Sequence, residues 1–148
     1  MAAAARGWLV DTNVISELRK GPRCDWNVRA WSERVPPAAC FISRVTLAEI
    51  RFGIERVDDP GFRAELEAWV QDGVLPWFGA RIREVDQAVL VRWRHLAAEG
   101  RKANYTYPQL AVLLAATAIV HRLGVATRDV EDFVRAGVRI VNPWDEAA

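Results

Sequence analysis

A chain of 148 residues with 51% hydrophobic and 26% charged residues has the makeup of a globular domain and excludes a disordered segment. Its formal net charge of +1 excludes a protein that meets nucleic acid through an overall positive field, so any basic surface has to be local. Cys24 and Cys40 lack metal-ligand spacing and read as free or buried thiols in a reducing cytosol.

In chain order, the opening MAAAARGWLVD meets charges at Arg6 and Asp11 and leaves no room for the apolar core of a secretory signal, so a cytoplasmic protein is expected. WLV (8–10) reads as a first strand, and Asp11 follows it directly to open the helical DTNVISEL. DWNVRAW predicts a helix over 25–35, closed by Pro36 and Pro37, which cannot continue it. CFI (40–42) is the second strand. Thr46 and Glu49 then show the Thr-x-x-Glu spacing of a capping box. VDDPG (57–61) reads as a turn, after which Phe62, Leu66, Trp69 and Val70 fall on one helical face.

IREV (82–85) is the third strand, and Asp86 is the expected N-cap of a helix that presents Val89, Trp93, Leu96 and Ala97 on one face. AEGRKANY (98–105) has the Gly and Asn content of a loop. QLAVLLAATAIV (109–120) carries no charge, yet it is far shorter than the ~20 residues that span a bilayer and so predicts a helix buried in the core, with no membrane association. GVAT (124–127) and VRIV (138–141) complete five strands. Between them, TRDVEDF places Asp129 at a helix start and Asp132 in its first turn. Strands alternating with helices predict an α/β fold around a parallel sheet. With no repeat or linker in view, residues 1–148 are expected to form a single domain.

Each acid has a structural duty available, Asp11 and Asp129 as helix caps and Glu49 as half of a capping box. Three strand-to-helix junctions nevertheless carry these acids to one edge of a parallel sheet. Converging carboxylates repel one another, and a divalent cation that prefers hard oxygen ligands, Mg²⁺ or Mn²⁺, offsets the repulsion. Other α/β sites fit less well. Lys20 and Lys102 are poorly placed for a receiver domain, Asn13 stands where a haloacid-type phosphatase has a second Asp, and no Gly-rich phosphate loop is present. His95 and His121 lack ligand spacing and read as surface or packing residues.

LVDTNVISEL, ISRVTLAEIRFGIE, AATAIVHRLGVATRDVEDF and IVNPW, in this order and spacing, resemble the PIN-domain toxins of the VapC type, close to their FitB-like branch. The resemblance implies a three-layer α/β/α sandwich with about five parallel strands, a magnesium-dependent endoribonuclease and an RNA substrate. It also implies a VapB-type antitoxin, contact with operator DNA only through that antitoxin, and a homodimer. Carried over by residue, it makes Asp11, Glu49 and Asp129 the catalytic and metal-binding acids, with Asn13 and Thr127 in support and Asp132 nearby. The family's third acid stands four residues before the first Ala of AATA, and here that position is Ala111. The sequence therefore predicts an impaired nuclease, with a non-catalytic module that binds antitoxin or RNA as the alternative. Trp26, Trp31 and Trp93, among seven tryptophans, are candidate interface anchors.

Overall fold

The apolar stretches are brief, and so are the strands they form: β1 (Trp8–Val10), β2 (Cys40–Ser43), β3 (Ile82–Arg83), β4 (Gly124–Ala126) and β5 (Ile140–Val141). All pair in parallel, in the spatial order β3-β2-β1-β4-β5. The computed structural model describes residues 7–146, so the reading of residues 1–6 as free of a signal segment lies outside the described residues. Building starts at β1, runs to one edge, then returns to the other side of β1. The switch point thus falls between β1 and β4, where open parallel sheets hold ligands beyond their carboxyl ends.

Alternation along the strands splits the interior in two. Val10 and Ala126 face one core with Val14, Val28, Ile42, Ile50 and Val70, whereas Leu9 and Val125 face a second with Val89, Val112, Ala116 and Phe133. The first core is covered by α1 (Thr12–Leu18), α2 (Trp26–Arg34), α3 (Arg44–Glu55), α4 (Pro60–Trp69) and α5 (Leu75–Phe78). Covering the second are α6 (Gln87–Lys102), α7 (Gln109–Val120) and α8 (Val130–Arg135). The result is the expected three-layer α/β/α sandwich. The charge-free run is α7, six of whose twelve residues are buried, so its missing polar face follows from packing on nearly every side. Among the described residues no helix is long and apolar enough to cross a membrane.

Several elements depart from their sequence readings. β3 stops at Arg83 because Glu84 leaves the ladder to pair with Arg44. β5 begins only at Ile140, since the Val138 amide is taken by the Phe133 carbonyl at the end of α8. The expected loop 98–105 is helical as far as Lys102, and the turn follows at Asn104, whose φ is 59°. Between α4 and α5 the helix widens to a π turn over Val70–Val74, which no periodicity announced. Trp31 is a core residue at 3% exposure, whereas Trp26 is 73% exposed and Trp93 packs partly against the second core.

Gly124 is held to glycine by its sheet neighbour. A Cβ there would stand 2.5 Å from the Trp8 ring and 2.9 Å from the Arg139 carbonyl oxygen. Gly124→Ala is expected to cost about 2 kcal/mol through overpacking, lowering the melting temperature by ~4–8 °C for a domain of this size. An unchanged thermal transition would show that Trp8 moves aside freely.

Candidate metal centre

Parallel pairing brings the first two junctions together. Val10 pairs with Ala126, and the Asp11 amide donates to the Ala126 carbonyl at 2.9 Å, so Asp11 and Thr127 emerge side by side from β1 and β4. Asp11 is the N-cap of α1, its Oδ1 accepting from the Thr12 amide at 2.7 Å, while its Oδ2 accepts from the Thr127 hydroxyl at 2.8 Å. Capping and site formation therefore coexist in one carboxylate, through different oxygens. Asp129 also stands at an N-cap position, but its side chain caps nothing. Instead its Oδ2 accepts from Asn13 Nδ2 at 3.4 Å, and its amide donates to Thr127 Oγ1 at 3.0 Å.

Asn13 is the connector. Its Nδ2 also lies 3.5 Å from Asp11 Oδ2 and 3.3 Å from Thr127 Oγ1, and its Oδ1 accepts from the Arg128 amide at 3.3 Å. One amide thus braces two carboxylates that would otherwise repel. Burial pushes the Asp11 carboxyl above its ordinary range, hydrogen bonds from Thr127 and Thr12 work against the rise, and the Asp129 charge adds to it. At Asp11 the effect of burial thus outweighs that of the chain's own hydrogen-bond donors.

The capping-box reading of Glu49 fails. Ser43 is the N-cap of α3, accepting from the Val45 amide at 3.0 Å, which leaves Thr46 buried with its hydroxyl unpartnered. Glu49 has no capping duty and lines a cleft of about 740 Å³ together with Asp11, Ala111, Asp129, Glu131 and Asp132. Among the described residues no three His, Cys, Asp or Glu side chains converge closely enough to hold an ion by themselves. The close pair is Asp11 and Asp129. Such a pair of hard oxygen donors fits a cation that retains much of its water, as Mg²⁺ commonly does.

Ala111 is the third residue of α7 and faces this cleft; α7 has no side-chain cap at Pro108 and no acid in its first turn. Asp132 lines the cleft too, but the Tyr105 hydroxyl donates to its Oδ1. Sequence reading missed both Glu131 and Tyr105. The first offers no signal beyond its neighbours, and Tyr105 meets Asp132 across 27 positions that no local pattern links. His95 is exposed and His121 half-buried, and neither is among the hydrogen-bond partners of Asp11 and Asp129.

Comparison with known proteins adds four findings. The PIN domain family profile matches residues 8–138. The chain is 33% identical over 139 residues to VapC ribonuclease Y4jK of Sinorhizobium fredii, covering 94% of this chain and 99% of that protein. Among solved structures, FitAcB from Neisseria gonorrhoeae superposes with a TM-score of 0.87 at 31% identity, covering 93% of this chain and 98% of that one. FitAB bound to an IR36 DNA fragment gives 0.86 at 30% identity, with 95% and 97% covered.

Proposed function

The chain belongs to the PIN-domain family, in its VapC/FitB-like toxin group, and from that premise we propose that it is the toxin of a type II toxin–antitoxin system, one PIN-like domain built on a magnesium-dependent endoribonuclease site that Ala111 impairs. The observation that carries this reading is the bracing of Asp11 and Asp129 by Asn13 at the switch point, with a methyl group in the cleft wall beside them.

In this reading Asp11 and Asp129 hold the cation, and Glu49 contributes from the cleft wall. When bound, the cation supplies a water of lowered pKa and positive charge beside the scissile phosphodiester. The chain's own groups keep that arrangement in place. Thr127 and Asn13 fix the Asp11 carboxylate so that its oxygens do not rotate away, and the burial that raises its pKa strengthens its attraction to positive charge. Asp132, tied to Tyr105, is a poor substitute for the missing acid.

The partner in this reading is a VapB-type antitoxin, through which operator DNA is met; that the similar FitAB structure is bound to a DNA fragment supports it. An apolar cleft of about 280 Å³ walled by Trp31, Trp69, Trp77 and Phe78, with Arg19 also lining it, supports docking of an apolar antitoxin segment. Homodimerisation and a cytoplasmic location belong to the same proposal. The test is RNA cleavage by the chain and by its Ala111→Asp version. Cutting by the Asp version with Mg²⁺ and none with EDTA is expected; no cutting by either would favour a non-catalytic binding module.

A further inference from the structure

A cleft lined by Asp11, Glu49, Asp129, Glu131 and Asp132 repels the polyanion that a ribonuclease must receive, so the site needs a cation at its rim. Resting on the ribonuclease reading above, we propose that Arg135, laid on the ring of Tyr105, forms a subsite that grips a backbone phosphate of single-stranded RNA beside the scissile bond.

Tyr105 is fixed from several directions. Its hydroxyl donates to Asp132 in the cleft wall, its ring meets Tyr107 edge-on at 4.9 Å and 80°, and its amide donates to the Gly100 carbonyl at 2.7 Å. The turn beneath it sits so close to α6 that a Cβ on Gly100 would stand 2.7 Å from the Tyr105 carbonyl oxygen. Against this anchored ring lies the Arg135 guanidinium, 3.9 Å from the centroid. The contact with the anchored ring restricts the guanidinium, so less freedom is lost when it takes up a phosphate. Through Tyr105 and Asp132, the fork is linked to the cleft wall.

Arg135 is exposed and forms no ion pair among the described residues, and what distinguishes it is that the ring it lies on is itself bonded to Asp132 in the cleft wall. Arg128 is nearer to the acids in sequence, but the ring 4.5 Å under its guanidinium belongs to Trp144, whose backbone is hydrogen-bonded to Asn27 and Asn142 and not to an acid of the cleft, and Arg128 also feels the charge of Glu17. Arg44 is held by Glu84 at 2.6 Å.

Binding is measured without cleavage, by anisotropy of a short fluorescein-labelled single-stranded RNA of mixed sequence in EDTA. Arg135→Gln is expected to weaken binding ~10-fold and to reduce the salt slope by about one. Tyr105→Ala is expected to weaken it to a similar degree, by releasing the guanidinium. Arg135→Lys, which keeps the charge and loses the fork, should restore only part of the affinity. Arg92→Gln, the same charge change on the exposed face of α6, should shift it less than about twofold. In the Ala111→Asp background, Arg135→Gln should raise KM ~10-fold and leave kcat in place. If the chain binds RNA and both Arg135→Gln and Tyr105→Ala bind it equally well with unchanged melting temperatures, the subsite is wrong while the nuclease reading stands. If the Ala111→Asp version neither binds nor cuts RNA, the nuclease reading has failed and this inference falls with it.

Discussion

Replacing Ala111 with Asp is expected to raise Mg²⁺-dependent RNA cleavage by ~10²- to 10³-fold, the span that corresponds to about 2.7 to 4 kcal/mol of transition-state stabilisation for one well-placed charged group. A carboxylate at the third residue of α7 would project into the cleft already lined by Asp11 and Asp129 and turn a close pair into a triad. The fold should accept it. α7 has Pro108 at its N-cap position, hence no side-chain cap, and no acid in its first turn, so a new carboxylate meets the positive end of the helix, a gain of about 0.3–1 kcal/mol. Repulsion from Asp11 and Asp129 opposes that gain, and without metal the melting temperature should move by only a few degrees. Mg²⁺ should then raise it more in the Asp version than in the parent, because at a given concentration a ligand that binds the folded state more tightly stabilises it more. Single-turnover cleavage and thermal scans with and without Mg²⁺ check both halves. Equal cleavage by the two proteins would mean that the acid at 111 is dispensable, with Asp132 or water in its place.

Legibility in the sequence followed the range of the interaction. β1, β4 and α7 were readable because their burial is written into contiguous apolar residues. The same holds for Asp11 and Asp86, which cap the helices they immediately precede. The Thr46–Glu49 box misled because Ser43, three residues earlier, is an equally good cap and sits where β2 ends. Loop composition misled at 98–105, where Gly100 serves close packing under Tyr105 and does not break the helix. That Asp11, Glu49 and Asp129 share one cleft follows from three junctions at one edge of the sheet. The bracing within that cleft was not legible, because Asn13 reaches Thr127 and Asp129 across 114 and 116 positions and only the β1–β4 pairing makes them neighbours.

That bracing leads to the second large effect, at Asp11. In the Ala111→Asp background, Asp11→Asn is expected to reduce cleavage at least ~10³-fold, since it removes charge from the most enclosed member of the close pair. Stability should respond in a different sense. Burial, first among the causes, raises the Asp11 carboxyl above its unfolded value, so the folded chain binds that proton more tightly than the unfolded one does. Ionisation of Asp11 therefore costs stability as pH rises through the window between the two values, and the cost is fully present at neutral pH. Asn carries no such charge, and its Oδ1 can still accept from the Thr12 amide while its Nδ2 faces the Thr127 hydroxyl. Without metal, Asp11→Asn should gain stability relative to its parent as pH rises from the acid range to neutrality. Saturating Mg²⁺ should reverse the order, because the cation stabilises only the carboxylate form. Urea titrations of both proteins across that pH range, with Mg²⁺ and with EDTA, would measure the difference. A difference independent of pH and of Mg²⁺ would place no unbalanced charge at Asp11 and would remove the electrostatic basis for a cation there.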